Sequence, residues 1–312
     1  MKQSILTIFF ITIFYSAFPQ RNQIVETKDI DHFWIAFDKL ESAKTKNDSI
    51  EIIKSYYIDQ STKYFKEFIK LRNFKAEEYV NLINKYPKFW KSIRKDTKNV
   101  KKKINDINKI LDAYEKEFPN FKRPDICFAI GCLRTGGTIS ENLILVGTEL
   151  AVSTSETDPS ELSPWLQSVI GKFEAIDAII SHEMIHIQQK NKLKTLAEFA
   201  INEGVADFLS NNIGGVKINK PYFTYGQEHD CELKNEFLKD YSNNKTDFSN
   251  WLFNGQNSIG RPADLGYYIG YKIAEEYYKN SLDKKKAVLK LLDRKNYLSI
   301  FRKSEYIKKR CL

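Results

Sequence analysis

Histidine and cysteine are both scarce in this chain, four of each in 312 residues, and each scarcity excludes something. Four cysteines in a chain this long do not make a disulfide-stapled scaffold. Cys127 and Cys132 stand in one strand-like run at an odd spacing, which sets them on opposite faces and keeps them from bonding each other. Neither has the spacing of a metal-ligand pair. Cys231 and Cys311 are the others, and the sequence selects no pairing. Repeats and low-complexity linkers are missing too, which argues against a solenoid or a string of tethered modules.

Long apolar runs are equally rare. Ile5 to Phe18, after Met1-Lys2, is interrupted by Thr7, Thr12 and Ser16. It is short for a membrane span and reads as a secretory signal peptide over residues 1–20, with an uncleaved anchor as the alternative. No cysteine follows it closely, so the expectation is a protein exported to the periplasm or beyond without a lipid anchor. The net charge of +9 comes from scattered lysines. The densest stretch, Lys91 to Lys103, alternates with Ile93 and Val100, as a solvated helix face does, and nucleic acid is not the expected partner. Contact with acidic envelope surfaces suits that balance better.

Residues 21–119 read as a helical N-terminal subdomain. Val100, Ile104, Ile107, Leu111, Tyr114 and Phe118 keep the helical period and Pro119 ends it. The aromatics of this part read as core. From about residue 124 the pattern changes. Ile126 to Leu133 and Leu143 to Val146 are strand-like runs on either side of a turn at Arg134-Thr135-Gly136-Gly137-Thr138, a hairpin or neighbouring strands. Ser153 to Ser160 is a polar loop, bordering a cleft or merely connecting.

The chemistry lies further on. His182-Glu183-Met184-Ile185-His186 sits in a run with helical apolar spacing (Phe173, Ile176, Ile179, Ile180, Ile187). Residues four apart share a helix face with Cβ atoms about 6 Å apart, so His182 and His186 can share one metal ion. Glu183 is then placed to take a proton from water at that metal. Glu203, in a second helical run from Leu196 to Leu209, is the candidate third ligand, and Asp207, one turn on, can hold the outer nitrogen of a ligand histidine. Two histidines and a carboxylate leave a coordination position open, as catalytic zinc sites do.

His182-Glu183-x-x-His186 with Asn202-Glu203-x-x-x-Asp207 resembles the gluzincin metallopeptidases, over residues 120 to 280. The nearest likeness is to predicted bacterial zinc-dependent proteases and gliding-motility-associated proteins, where segments similar to Arg261-Pro262-Ala263-Asp264-Leu265-Gly266-Tyr267 follow the glutamate helix. The link from His186 to Glu203 is shorter than in thermolysin. The resemblance implies an α+β fold with a zincin-like metallopeptidase domain over 120–312, one Zn²⁺ per chain on His182, His186 and Glu203, and a peptide or protein substrate. It also implies a strand beside the metal helix that pairs with extended substrate.

Two features are candidates to complete a site. His229 is either an oxyanion donor or a surface histidine. In a helix from Pro262, Leu265, Ile269 and Ile273 form the core stripe and Tyr268 falls on the polar side. Tyr267 or Tyr271 is then the tyrosine to reach a cleft, and Gly266 and Gly270 permit close approach of another backbone. Two further functions use the same residues: an envelope binding or assembly protein without proteolysis, and metal-dependent hydrolysis of a non-peptide amide.

Overall fold

The computed structural model describes residues 24–308; the expected signal peptide and Cys311 lie outside them. The fold is α+β, mostly helical with one small mixed sheet. After a two-residue strand come six helices: α1 (Lys28–Lys39), α2 (Lys46–Ile53), α3 (Lys63–Arg72), α4 (Ala76–Lys85), α5 (Pro87–Asn99) and α6 (Ile104–Glu117). Local chemistry sets their limits. Thr45 and Asp48 form a reciprocal capping box on α2, Thr62 caps α3, and Pro87 occupies the first turn of α5, where its missing N–H costs nothing. Asn73 takes a left-handed conformation (φ 51°) and stops α3 one residue past Arg72. The aromatic residues pack together as expected: Phe33 meets Trp34, Tyr57 and Trp90 at centroid distances of 4.9, 5.3 and 5.4 Å.

The sheet has four strands, β1 (Val25–Glu26), β2 (Asp125–Ala129), β3 (Gly137–Ser140) and β4 (Leu143–Gly147), in the order β1-β2-β4-β3. β1, β2 and β4 are parallel, and β3 runs antiparallel to β4 at the edge. The chain reverses twice here, once between β2 and β3 in the stretch that ends at Gly136, where a turn is expected, and again at Glu141, which has φ 51°. Gly137 itself already begins the edge strand. Cys127 and Cys132 are buried free thiols.

The loop from β2 into β3 is pinned by buried polar groups. The hydroxyls of Tyr57 and Tyr79 both donate to the Ile130 carbonyl (2.5 and 2.9 Å), and Glu149 accepts from the amides of Gly131 and Leu133 (2.8 and 3.0 Å). Complete burial pushes the Glu149 carboxyl up to about 7. The polar loop Ser153 to Ser160 is tied to α5 instead, through Thr154 and Thr157 on Asp96.

The remaining helices are α7 (Pro164–Val169), α8 (Ile176–Gln188), α9 (Leu196–Asn212), α10 (Pro221–Glu228), α11 (Asp230–Asn243), α12 (Leu265–Asn280), α13 (Lys284–Leu291), α14 (Tyr297–Lys303) and α15 (Glu305–Lys308). One hydrophobic core runs through the molecule from Ile30 to Tyr306. α8 is anchored from behind by the Tyr114 hydroxyl of α6, 2.6 Å from Ser181 Oγ. α9 is buried almost throughout and crosses α12 backbone to backbone. A Cβ on Gly204 would lie 2.0 Å from the Gly270 carbonyl carbon, and one on Gly270 would lie 1.7 Å from the Ala200 oxygen. Both glycines thus make the expected close approach to another backbone, Gly270 to α9 and Gly266 to the Trp251 carbonyl beside Leu252. Among the described residues, no helix is long and apolar enough to cross a membrane.

Candidate metal centre

α8 and α9 carry the metal-type side chains. α9 opens on a capping box between Thr195 and Glu198, which fixes where Glu203 comes round to face α8. His182 Nε2 and His186 Nε2 are 3.0 Å apart, and Glu203 Oε2 lies 3.3 and 3.1 Å from them. Each of the three residues offers a ligand atom within 4.8 Å of the others. Glu203 is only 7% exposed.

The outer nitrogens determine what those three atoms are. His182 Nδ1 lies 2.8 Å from Asp207 Oδ1, a carboxylate that can only accept. His186 Nδ1 lies 2.7 Å from Gln189 Oε1. The Gln189 amide is itself oriented, since its Nε2 donates to the Asn202 carbonyl and to the Tyr297 hydroxyl (2.9 and 3.0 Å). With a metal bound, both imidazoles would carry their proton on Nδ1, toward these acceptors, and turn the Nε2 lone pair inward. Two lone pairs and a carboxylate oxygen converging on one point repel one another unless a cation lies between them. This donor set fits a zinc ion.

The local field makes the same demand. Burial opposes charging His182, yet Asp207 and Glu203 outweigh it and raise its pKa well above the usual imidazole value; His186 is raised likewise, chiefly by Glu203. Burial disfavours the Glu203 carboxylate, and the two imidazoles overcome it and hold the group well below its ordinary range. Without metal, protons supply the positive charge that the centre requires. Glu183 differs: burial raises its pKa, and the imidazoles offset only part of that.

Around this centre the structure brings in residues with no sequence signal. Arg294 donates from Nε to Asn202 Oδ1 (2.7 Å), and Asn202 Nδ2 in turn donates to Glu203 Oε1 (3.1 Å). The Tyr297 hydroxyl passes its own proton to the Leu291 carbonyl (2.9 Å). Tyr222 donates to the second Asp207 oxygen at 2.7 Å. The short link between α8 and α9 is stapled by the same C-terminal segment: the Lys190 amide donates to the Leu292 carbonyl and the Arg294 amide to the Lys190 carbonyl. None of these partners falls at a helical spacing from the motif, so no pattern in the sequence marks them.

The other candidates separate in space. The Tyr267 ring lies over His182 with centroids 6.1 Å apart and against Tyr222 at 5.2 Å. Its hydroxyl has no hydrogen bond among the described residues. Tyr271 is buried and reaches Asn211. Tyr268, expected on the polar side, is 2% exposed and donates to Asp230, because α10 and α11 cover that face and Gly226 sits on its ring. His229 is half-exposed, stacked on Tyr225 with Nδ1 toward Glu232, and among the described contacts none joins it to the histidine–glutamate cluster. Asp264 caps α12 in a left-handed conformation (φ 63°), and its buried Oδ1 has no partner.

Glu183 points the other way, toward the sheet. A Cβ on Gly137 would stand 2.8 Å from Glu183 Oε1 and equally close to Ile179. The first residue of the edge strand is thus small where the strand passes Glu183.

Residues 165–295 match the model of a family described as a predicted Zn-dependent protease (DUF2268). The matched stretch contains His182, Glu183, His186, Glu203, Tyr267 and Arg294. The match supports a zinc-protease family, a hydrolase and a zinc cofactor. No curated protein and no solved structure matches the chain.

Proposed function

We propose that the chain is a zinc-dependent metallopeptidase of gluzincin type, with one Zn²⁺ held by His182, His186 and Glu203 and with Glu183 as general base. The observation that carries the reading is the pair of imidazole Nε2 atoms 3.0 Å apart beside a buried carboxylate. A zinc ion held there would lower the pKa of water to about 7 and polarise a carbonyl.

The chain's own residues supply the rest. Asp207 and Gln189 hold the two imidazoles in the tautomer that faces inward. Glu183 is next to His182 in sequence but turned toward Gly137, so it stands beside the cluster without belonging to it. Burial raises its pKa, which brings the carboxylate nearer the proton affinity that a base working near neutrality needs. It takes a proton from the attacking water and delivers it to the departing amine nitrogen. The unpaired edge of β3 offers backbone groups to an extended peptide beside Glu183. For the donor to the developing oxyanion we choose Tyr267 over His229, because its ring lies over His182 and its hydroxyl is uncommitted.

The test is Glu183→Gln. The variant keeps its zinc and its thermal midpoint and loses peptide hydrolysis; full activity in it refutes the mechanism. We further propose that the protein works outside the cytoplasm, on the strength of the apolar stretch Ile5 to Phe18. Fractionation of cells carrying the full chain tests that.

A further inference from the structure

Arg72 is an ionised side chain without a counter-ion in contact. It is the last residue of α3, and Asn73 turns the chain away directly behind it. Its Nε is buried and has no hydrogen-bond partner, and the salt bridges among the described residues do not include it. Arginine cannot discard its proton to relieve this, and a buried donor left unmade costs about 1–3 kcal/mol.

The surroundings place Arg72 near Glu183. α3 packs on β2 and β4 and touches the edge strand where Ser140 Oγ donates to Glu67 at 2.7 Å. Arg72 falls at helical spacing with Tyr64 and Phe68, on the buried face of α3 that is turned to the sheet. The hydrogen bond from Arg134 ties this end of the helix to the chain just before Gly137, which passes Glu183. Arg72 and Glu183 feel each other's charge, yet they form no ion pair. Arg134, just before β3, donates to the Arg72 carbonyl at 3.0 Å and is itself neutralised by Glu78 at the same distance. Of the two guanidiniums here, Arg134 has its carboxylate and Arg72 does not. A residue kept only to balance Glu183 would sit on it. One held near but apart leaves room for an incoming anion.

We propose that Arg72 is a specificity-determining residue, which receives a carboxylate of the substrate beside the bond presented to Glu183. The cleft then selects peptides carrying an acidic side chain or a free C-terminus at that position. Bidentate carboxylate recognition is the geometry a guanidinium is built for. The inference rests on the zinc-peptidase reading and specifies its substrate class.

The test uses full-length protein loaded with Co²⁺ and two metal-seeking probes of one shape, succinic monohydroxamate and its neutral carboxamide counterpart. Binding is read from the cobalt absorption spectrum. The expected result is roughly 10- to 100-fold tighter binding of the carboxylate probe, from a charged hydrogen bond of about 1.5–3 kcal/mol. Arg72→Gln abolishes that preference and leaves the affinity for the neutral probe unchanged, and Arg72→Lys retains part of the preference. Equal binding of the two probes by the wild type, or an undiminished preference in Arg72→Gln, overturns the assignment. Protein that takes up no cobalt overturns the zinc reading and this inference with it, and is recognised before any probe is added. Cleavage of matched peptides then separates the two carboxylate sources. Loss on replacing Glu by Gln identifies a side chain, and loss on C-terminal amidation identifies the terminus.

Discussion

Asp207→Asn isolates the contribution of a residue that lies outside the histidine–glutamate cluster. Asp207 is 6% exposed and commits one oxygen to His182 Nδ1 at 2.8 Å and the other to the Tyr222 hydroxyl at 2.7 Å. Its negative charge fixes the proton on Nδ1 and raises the electron density that Nε2 presents. An asparagine keeps the shape but loses the charge, and its amide can turn its N–H toward Nδ1, which would move the proton to Nε2 where the metal binds. Outer carboxylates of this kind typically contribute 10- to 100-fold in metal affinity, about 1.4–2.7 kcal/mol. Full burial and use of both oxygens place Asp207 toward the upper end. The assay is a zinc titration against a chromophoric chelator at neutral pH, with the metal-free thermal midpoint as a check on folding. Tyr222→Phe is the companion variant: it removes a neutral hydrogen bond, keeps the carboxylate and should weaken zinc less. An Asp207→Asn protein that binds zinc within about twofold of the wild type would refute the idea that this carboxylate sets the tautomer.

Other outcomes follow from the same geometry. Elemental analysis should find one zinc per wild-type chain and little in Glu203→Ala, since that change removes one of three ligands. In metal-free protein, His182 and His186 have raised pKa values, so their contribution to stability is complete below about 6.5 and fades as pH rises through the raised values. The Glu203 contribution runs the other way, present above about 4.5 and lost as pH falls through its depressed value. Because zinc must displace those protons, the rise in melting temperature on adding zinc should be larger at pH about 8 than at about 6; a smaller rise at the higher pH contradicts the assignment. Gly270→Ala would place a Cβ 1.7 Å from the Ala200 oxygen and force α9 and α12 apart. Chemical denaturation should show a loss of about 1–3 kcal/mol or more, whereas Gly136→Ala, with nothing within 4 Å of its Cβ, should be close to neutral.

The parts of this molecule that can be read in sequence are those whose partners are near neighbours along it. His182 and His186 announce themselves by a spacing of four, Glu203 and Asp207 by the same spacing on the next helix, and the early helices by their apolar period. Arg294 is not legible, because it meets Asn202 across 92 residues and nothing local marks it. Tyr268 misleads for a related reason. Its helix looks amphipathic with that residue outward, but α10 and α11 cover the face. The Gly136-Gly137 pair suggests a turn, whereas Gly137 is small because the edge strand must clear Glu183, a contact that only the packed structure supplies.

The bracing of the centre by Arg294 and Tyr297 bears on how the protein is made. A chain synthesised from its N-terminus exposes His182, His186 and Glu203 well before residues 292–297 have emerged. Until then Gln189 and Asn202 lack the partners that aim them, and the link after α8 lacks its staple at Lys190. The nascent protein therefore holds all three ligands without the frame that orients them. On the proposed reading, competence would arrive late in synthesis, once the C-terminal segment docks, which would spare the cell an active hydrolase on an unfinished chain.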